Sequence, residues 1–133
     1  MTTRANVTFE GKNWDEKPFS EIEGGPKLTR ASVTNVYHGD IEGEGTLEYL
    51  MVYNTAGPVD FVGYERIVGR IGDRSGSFVL QHTGTYADGT ANASYTVAPG
   101  SGTGDLAGLR GQGKMAATHA PSSPFPFEYD MDE

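Results

Sequence analysis

Asn35, Glu48, Glu65, His82 and Tyr95 stand along stretches whose alternation otherwise places apolar residues on one side. A carboxyl group held away from water favours its neutral form, and a second carboxyl beside it strengthens that preference. Two carboxyls with an imidazole and a phenol nearby are therefore the groups from which general acid and base chemistry is built. On this reading Glu65 is the base or acid and Glu48 the neighbour that favours its protonated form. His82 and Tyr95 donate protons or orient the substrate. Asn35, Phe61, Phe78, Leu80 and Val97 share the face and form the wall of a ligand site. The same polar band also reads as a satisfied structural network, or as the wet mouth of a barrel.

These residues meet only if strands carry them to one face, and the turns set the registers. Asp88-Gly89 predicts a two-residue type I′ hairpin. It pairs Ala87 with Thr90, His82 with Tyr95 and Leu80 with Val97. Phe78, Leu80, His82, Ala93, Tyr95 and Val97 then share one apolar face, which must be the inner one. Gly72-Asp73 predicts a type II′ turn that places Ile67 opposite Phe78 and Glu65 opposite Leu80. The turn around 54–59 is less determined. A register pairing Glu48 with Glu65 turns Thr46, Glu48, Leu50 and Val52 inward. It leaves Leu47, Tyr49, Met51, Tyr53, Val62, Tyr64 and Val68 outside, with Arg66 and Arg70 at the rim. So contiguous an apolar patch predicts self-association, hence a homo-oligomer. Strand 28–38 turns Ala31, Val33, Asn35 and Tyr37 inward, with Asn35 near Glu48.

Nineteen glycines and no helical periodicity of useful length argue for sheet. Strands are expected at 4–14, 28–38, 45–54, 59–71, 76–87, 90–98, 112–119 and 125–131. Residues 16–27 and 101–110 read as loops, the latter with at most one helical turn near 104–110. Eight antiparallel strands joined by short turns predict a closed β-barrel or a sandwich, in a single domain spanning 1–133.

Several chemistries find no support. Gly108–Met115 imitates a phosphate-binding loop but lacks its Ser/Thr and its strand-to-helix setting. The alternating glycines of 100–104 lack dinucleotide-binding spacing. His38, His82 and His119 are scattered and fit no metal motif, and no nucleophile elbow surrounds any serine. There are no cysteines, so thiolate chemistry and disulfides are excluded. A net charge of −8 makes nucleic acid a poor partner. No apolar run is long enough to span a membrane as a helix, and the N-terminus has no signal-peptide core, so a cytoplasmic location is expected.

Longer motifs carry a resemblance. Glu23-Gly-Gly-Pro-Lys-Leu-Thr-Arg30-Ala, Gly39-Asp-Ile-Glu-Gly-Glu-Gly45, Phe61-Val-Gly-Tyr-Glu65-Arg, Arg74-Ser-Gly-Ser-Phe78-Val-Leu-Gln-His82 and Pro99-Gly-Ser-Gly-Thr-Gly-Asp-Leu-Ala-Gly-Leu-Arg-Gly111 occur in this order. Together they resemble the bacterial family called domain of unknown function 3224. The resemblance implies an allene oxide cyclase-like fold, an eight-stranded antiparallel closed barrel. Gly102-Thr-Gly104 with Arg110-Gly111 is similar to an element of allene oxide cyclases and dirigent proteins. It supplies no catalytic assignment. The function expected is binding of a small, largely apolar molecule in the lumen, with acid/base chemistry of a cofactor-free isomerase or cyclase. The alternative is a non-catalytic binding or structural oligomer.

Overall fold

The computed structural model describes residues 2–118 and 120–131. His119 lies outside them. Ten strands form one antiparallel sheet: β1 (Thr3–Ala5), β2 (Val7–Ser20), β3 (Lys27–Gly39), β4 (Ile41–Tyr53), β5 (Val59–Ile71), β6 (Arg74–Ala87), β7 (Thr90–Val97), β8 (Leu109–Ala117), β9 (Ser123–Pro124) and β10 (Phe127–Met131). The only helical element among the described residues is a 3-10 turn, Gly104–Leu106.

The architecture is all-β as expected, but it is a ten-stranded sheet curled into a half-barrel, not an eight-stranded closed barrel. The first and last stretches of the chain are each broken in two. Asn6 leaves the ladder to bond with Asp40: its N–H donates to the side-chain Oδ2, and its carbonyl accepts the Asp40 N–H. Pro126 has no N–H to give, so pairing lapses between β9 and β10. β1 pairs with β10 and β2 with β9, which gathers the sheet at one end. Beyond Phe9, β2 has β3 as its hydrogen-bonded neighbour, and β8 beyond Gln112 has β7. The other end is left open.

Two hairpins follow the turn chemistry, and β3 faces as expected. Asp88 and Gly89 both adopt positive φ (53° and 78°), as a type I′ turn demands, and His82 pairs with Tyr95. Gly72 carries positive φ, and Glu65 pairs with Leu80. β3 turns Ala31, Val33, Asn35 and Tyr37 inward.

β4 is a correction. Glu48 pairs with Tyr64, and Leu47 faces Glu65, one residue away from the expected register. A five-residue loop, 54–58, sets this register, and Asn54 pins it by donating to the Pro58 carbonyl and to Asp60. A one-residue slip exchanges the faces of a strand. Leu47 and Met51 are therefore buried inside, and Glu48 and Leu50 lie outside. The outer apolar patch shrinks to Leu50, Val62, Tyr64 and Val68. The expected loop at 16–27 is corrected too, because β2 continues to Ser20. A bulge between Lys12 and Asp15, with Asn13 at φ 59°, inserts one extra residue. The inward residues change from Phe9 and Gly11 to Trp14 and Glu16, so alternation fails across the bulge.

Two apolar clusters fill the interior. The larger, at the gathered end, joins Tyr37, Ile41, Ile67, Phe78, Leu80, Val97, Phe125 and Phe127. Leu106 plugs it: the stretch after β7 runs along β6 through Thr103 N–H to the Ser77 carbonyl and brings the 3-10 turn over the core. The smaller cluster, at the open end, is Ala31, Met51, Phe61 and Ala93, with Tyr49 packed against it.

Candidate functional site

Glu65 lies inside the sheet with no exposed surface. A carboxylate in that position is unfavourable unless its oxygens are satisfied. Oε2 accepts from Asn35 Nδ2 at 3.0 Å and from the Tyr37 hydroxyl at 2.7 Å. Oε1 lies 2.7 Å from His82 Nε2. β3 supplies Asn35 and Tyr37 two residues apart, hence on one face, and β6 supplies His82. Gly45 on β4 makes the room. A β-carbon built there would stand 1.9 Å from Glu65 Oε2.

The imidazole is almost fully buried, and its Nδ1 has no hydrogen-bond partner. With the proton held between Oε1 and Nε2, a neutral ring presents Nδ1 as an unoccupied acceptor. Aromatic rings flank it: Tyr95 with centroids at 5.6 Å, and Tyr49 edge-on at 6.3 Å. Burial, and then the negative Glu65, push the Tyr37, Tyr49 and Tyr95 phenols well above their ordinary value, so all three remain protonated donors at neutral pH.

Above this cluster, at the open end, is a cavity of about 620 Å³. Tyr49, Met51, Phe61, Val33, Trp14 and Tyr53 contribute to its lining. Tyr49 links the two levels, since it faces the cavity and also packs on His82. At the rim, Glu16 accepts hydrogen bonds from Thr29, Tyr53 and Trp14. Partial burial works against its charge, but these bonds and nearby Lys27 prevail and hold the carboxyl below its usual range. Tyr53 is pushed up to about 12 by burial and by Glu16.

The structure brings Glu65, His82 and Asn35 together and sets the Tyr95 ring beside His82. The Tyr95 hydroxyl, however, donates to the Pro126 carbonyl, and Tyr37 takes the place expected for it. Glu48 is corrected outright. It sits on the outer face, bonded to Arg30 at 2.7 Å and held below the usual carboxylate range by Ser32 and Arg30. It does not act on Glu65. Phe61 lines the cavity, whereas Phe78, Leu80 and Val97 belong to the packed core at the gathered end. Tyr37, Tyr49, Gly45 and Trp14 were missed as site residues. The apolar face Leu47-Tyr49-Met51-Tyr53 was the available signal for Tyr49. Among the described residues no group of three His, Asp or Glu side chains is placed to hold a metal ion.

The chain thus presents a curled antiparallel sheet with a buried Glu–His pair beneath an apolar cavity. The chain belongs to the family described as "Protein of unknown function (DUF3224)", whose model matches residues 5–129. It is similar to a crystal structure of a protein with unknown function from the DUF3224 family of Shewanella oneidensis MR-1. The two are 27% identical, 100% of each chain is covered, and the TM-score is 0.82. No curated protein matches the chain. No helix among the described residues is long and apolar enough to cross a membrane.

Proposed function

We propose that the open end binds a small, largely apolar molecule and that the Glu65–His82 pair moves a proton on it, as a cofactor-free isomerase or cyclase does. The observation that carries this reading is the buried, unpartnered Nδ1 of His82 behind a carboxylate that holds the opposite nitrogen. A carboxylate that orients an imidazole leaves the far nitrogen free to act as a base. Glu65 is then the orienting group rather than the base itself. Tyr49, protonated, packs edge-on against His82 and also faces the cavity, so it is the side chain that lies between the imidazole and a bound molecule. A non-catalytic binding protein is the second reading. It is favoured by the complete set of hydrogen bonds around Glu65, which a purely structural network would also show.

The test needs no natural substrate. 5-Nitrobenzisoxazole opens when a base takes its carbon-bound proton and the N–O bond breaks, giving a coloured phenolate. The protein is expected to accelerate this reaction above buffer. His82→Gln is expected to lose the acceleration while keeping its far-ultraviolet circular dichroism. An unchanged rate in that variant overturns the catalytic reading. So does the absence of acceleration when the probe shifts the Met51 methyl resonance, which would leave the non-catalytic one.

A further inference from the structure

Trp14 is the sole tryptophan of the chain, and it is 52% exposed. A residue of that size is left uncovered at a cost, and here its position is built rather than accidental. The Asn13 bulge turns Trp14 inward over the cavity mouth, where it lies tilted against Tyr49 with centroids 6.0 Å apart. Tyr49 in turn meets Phe61 edge-on at 5.1 Å, and Tyr53 completes the rim. Rings that meet at angles form corners and leave faces free. Their faces are electron-rich.

No charged side chain lines the cavity among the described residues. Behind the rim stands the Glu16 carboxylate, bonded to both Trp14 and Tyr53. One cation already uses the rim from outside: Lys27 Nζ stands 4.6 Å from the centroid of Tyr53. Faces of Trp and Tyr backed by a carboxylate are the chemistry that recognises alkylated ammonium ions.

We infer that the cavity mouth binds an organic ammonium group, and that the ligand of this site is an alkylated amine with its apolar body directed toward Phe61 and Met51. This rests on the proposed cavity and names the class of molecule it takes. The acidic net charge of the chain draws such a cation toward it. Lys27 shares both Tyr53 and Glu16, so it competes with the ligand.

The test pairs choline with 3,3-dimethylbutan-1-ol, which replaces the ammonium nitrogen with carbon at nearly the same shape. Binding to the full chain is read by Trp14 fluorescence and by the Met51 methyl resonance. Choline is expected to bind at least about tenfold more tightly than the alcohol. Glu16→Gln is expected to narrow that ratio severalfold by weakening choline alone, and Lys27→Gln to widen it. Equal affinities, or tighter binding of the alcohol, overturn the ammonium inference and leave the apolar cavity standing. If neither molecule binds, both readings fall. If Glu16→Gln weakens both probes alike, the carboxylate shapes the rim without recognising charge, and the inference is overturned.

Discussion

Gly45 and Glu65 are a matched pair. The three nearest atoms to a β-carbon at position 45 all belong to the Glu65 side chain, so the first clash is with that carboxylate. Gly45→Ala must push that carboxylate away from Asn35, Tyr37 or His82 and leave buried polar groups unmet. The expected loss is about 2 kcal/mol or more. In a Glu65→Ala background the same change is expected to cost far less, because the atoms it strikes are gone. Denaturant melts of the two single variants and the double variant check this, and additive losses would contradict it. At Gly113 a built β-carbon would meet the Pro126 carbonyl oxygen at 2.1 Å and then Tyr95 ring atoms at 2.5 and 2.9 Å. The inner face thus alternates bulky or charged groups with glycines that let them lie flat across the neighbouring strand.

At the level of elements, the bulge in β2 decides what the cavity mouth looks like. Asn tolerates the left-handed conformation, whereas a β-branched residue does not. Asn13→Val is expected to destabilise the protein by about 1–2 kcal/mol. It is also expected to change the Trp14 emission, since the strand then relaxes toward a register that points Trp14 elsewhere. Asn13→Gly accommodates the same φ and is expected to leave the emission unchanged. A Val variant with unaltered stability and emission would mean that the bulge does not depend on residue 13. The β6–β7 hairpin carries no such device. Its strands run from Leu80–Val97 to Ala87–Thr90 without a register shift, which is why His82 and Tyr95 meet.

For the molecule as a whole, titration bounds the range of stability. Glu16 and Glu48 are held below the ordinary carboxyl value of 4.5 in the folded state. Groups with a depressed folded pKa contribute stability that is present above 4.5 and is lost as the pH falls through their folded values. Tyr53 is raised to about 12 from 10, and Tyr37, Tyr49 and Tyr95 are raised in the same direction. Groups with a raised folded pKa contribute stability that is complete below pH 10 and is lost as the pH rises toward and through 12. Melting temperatures are therefore expected to form a plateau between these limits and to fall on both sides. Glu16→Gln should flatten part of the acid limb, and Tyr53→Phe part of the alkaline limb. An acid limb that is the same in Glu16→Gln would show that its hydrogen bonds to Thr29, Tyr53 and Trp14 contribute nothing to pH dependence.

What the sequence by itself determined is local. Turn residues with a required φ, such as Asp88-Gly89 and Gly72, set the β5–β6–β7 registers, and those registers brought Glu65, His82 and Tyr95 to one face. The gathering of the family's motifs in one order was legible as well. The tertiary structure decided the rest. The Asn54 side chain chose between two β4 registers that differ by one residue, and so placed Tyr49 inside and Glu48 outside. The Asn13 bulge broke the alternation from which β2 was read, and so hid Trp14 and Glu16. The number of strands, and whether the sheet closes, turned on pairing between the first and last stretches of the chain. No local rule supplies that, because the pairing energy is realised only once the intervening sheet has curled to bring the two stretches together.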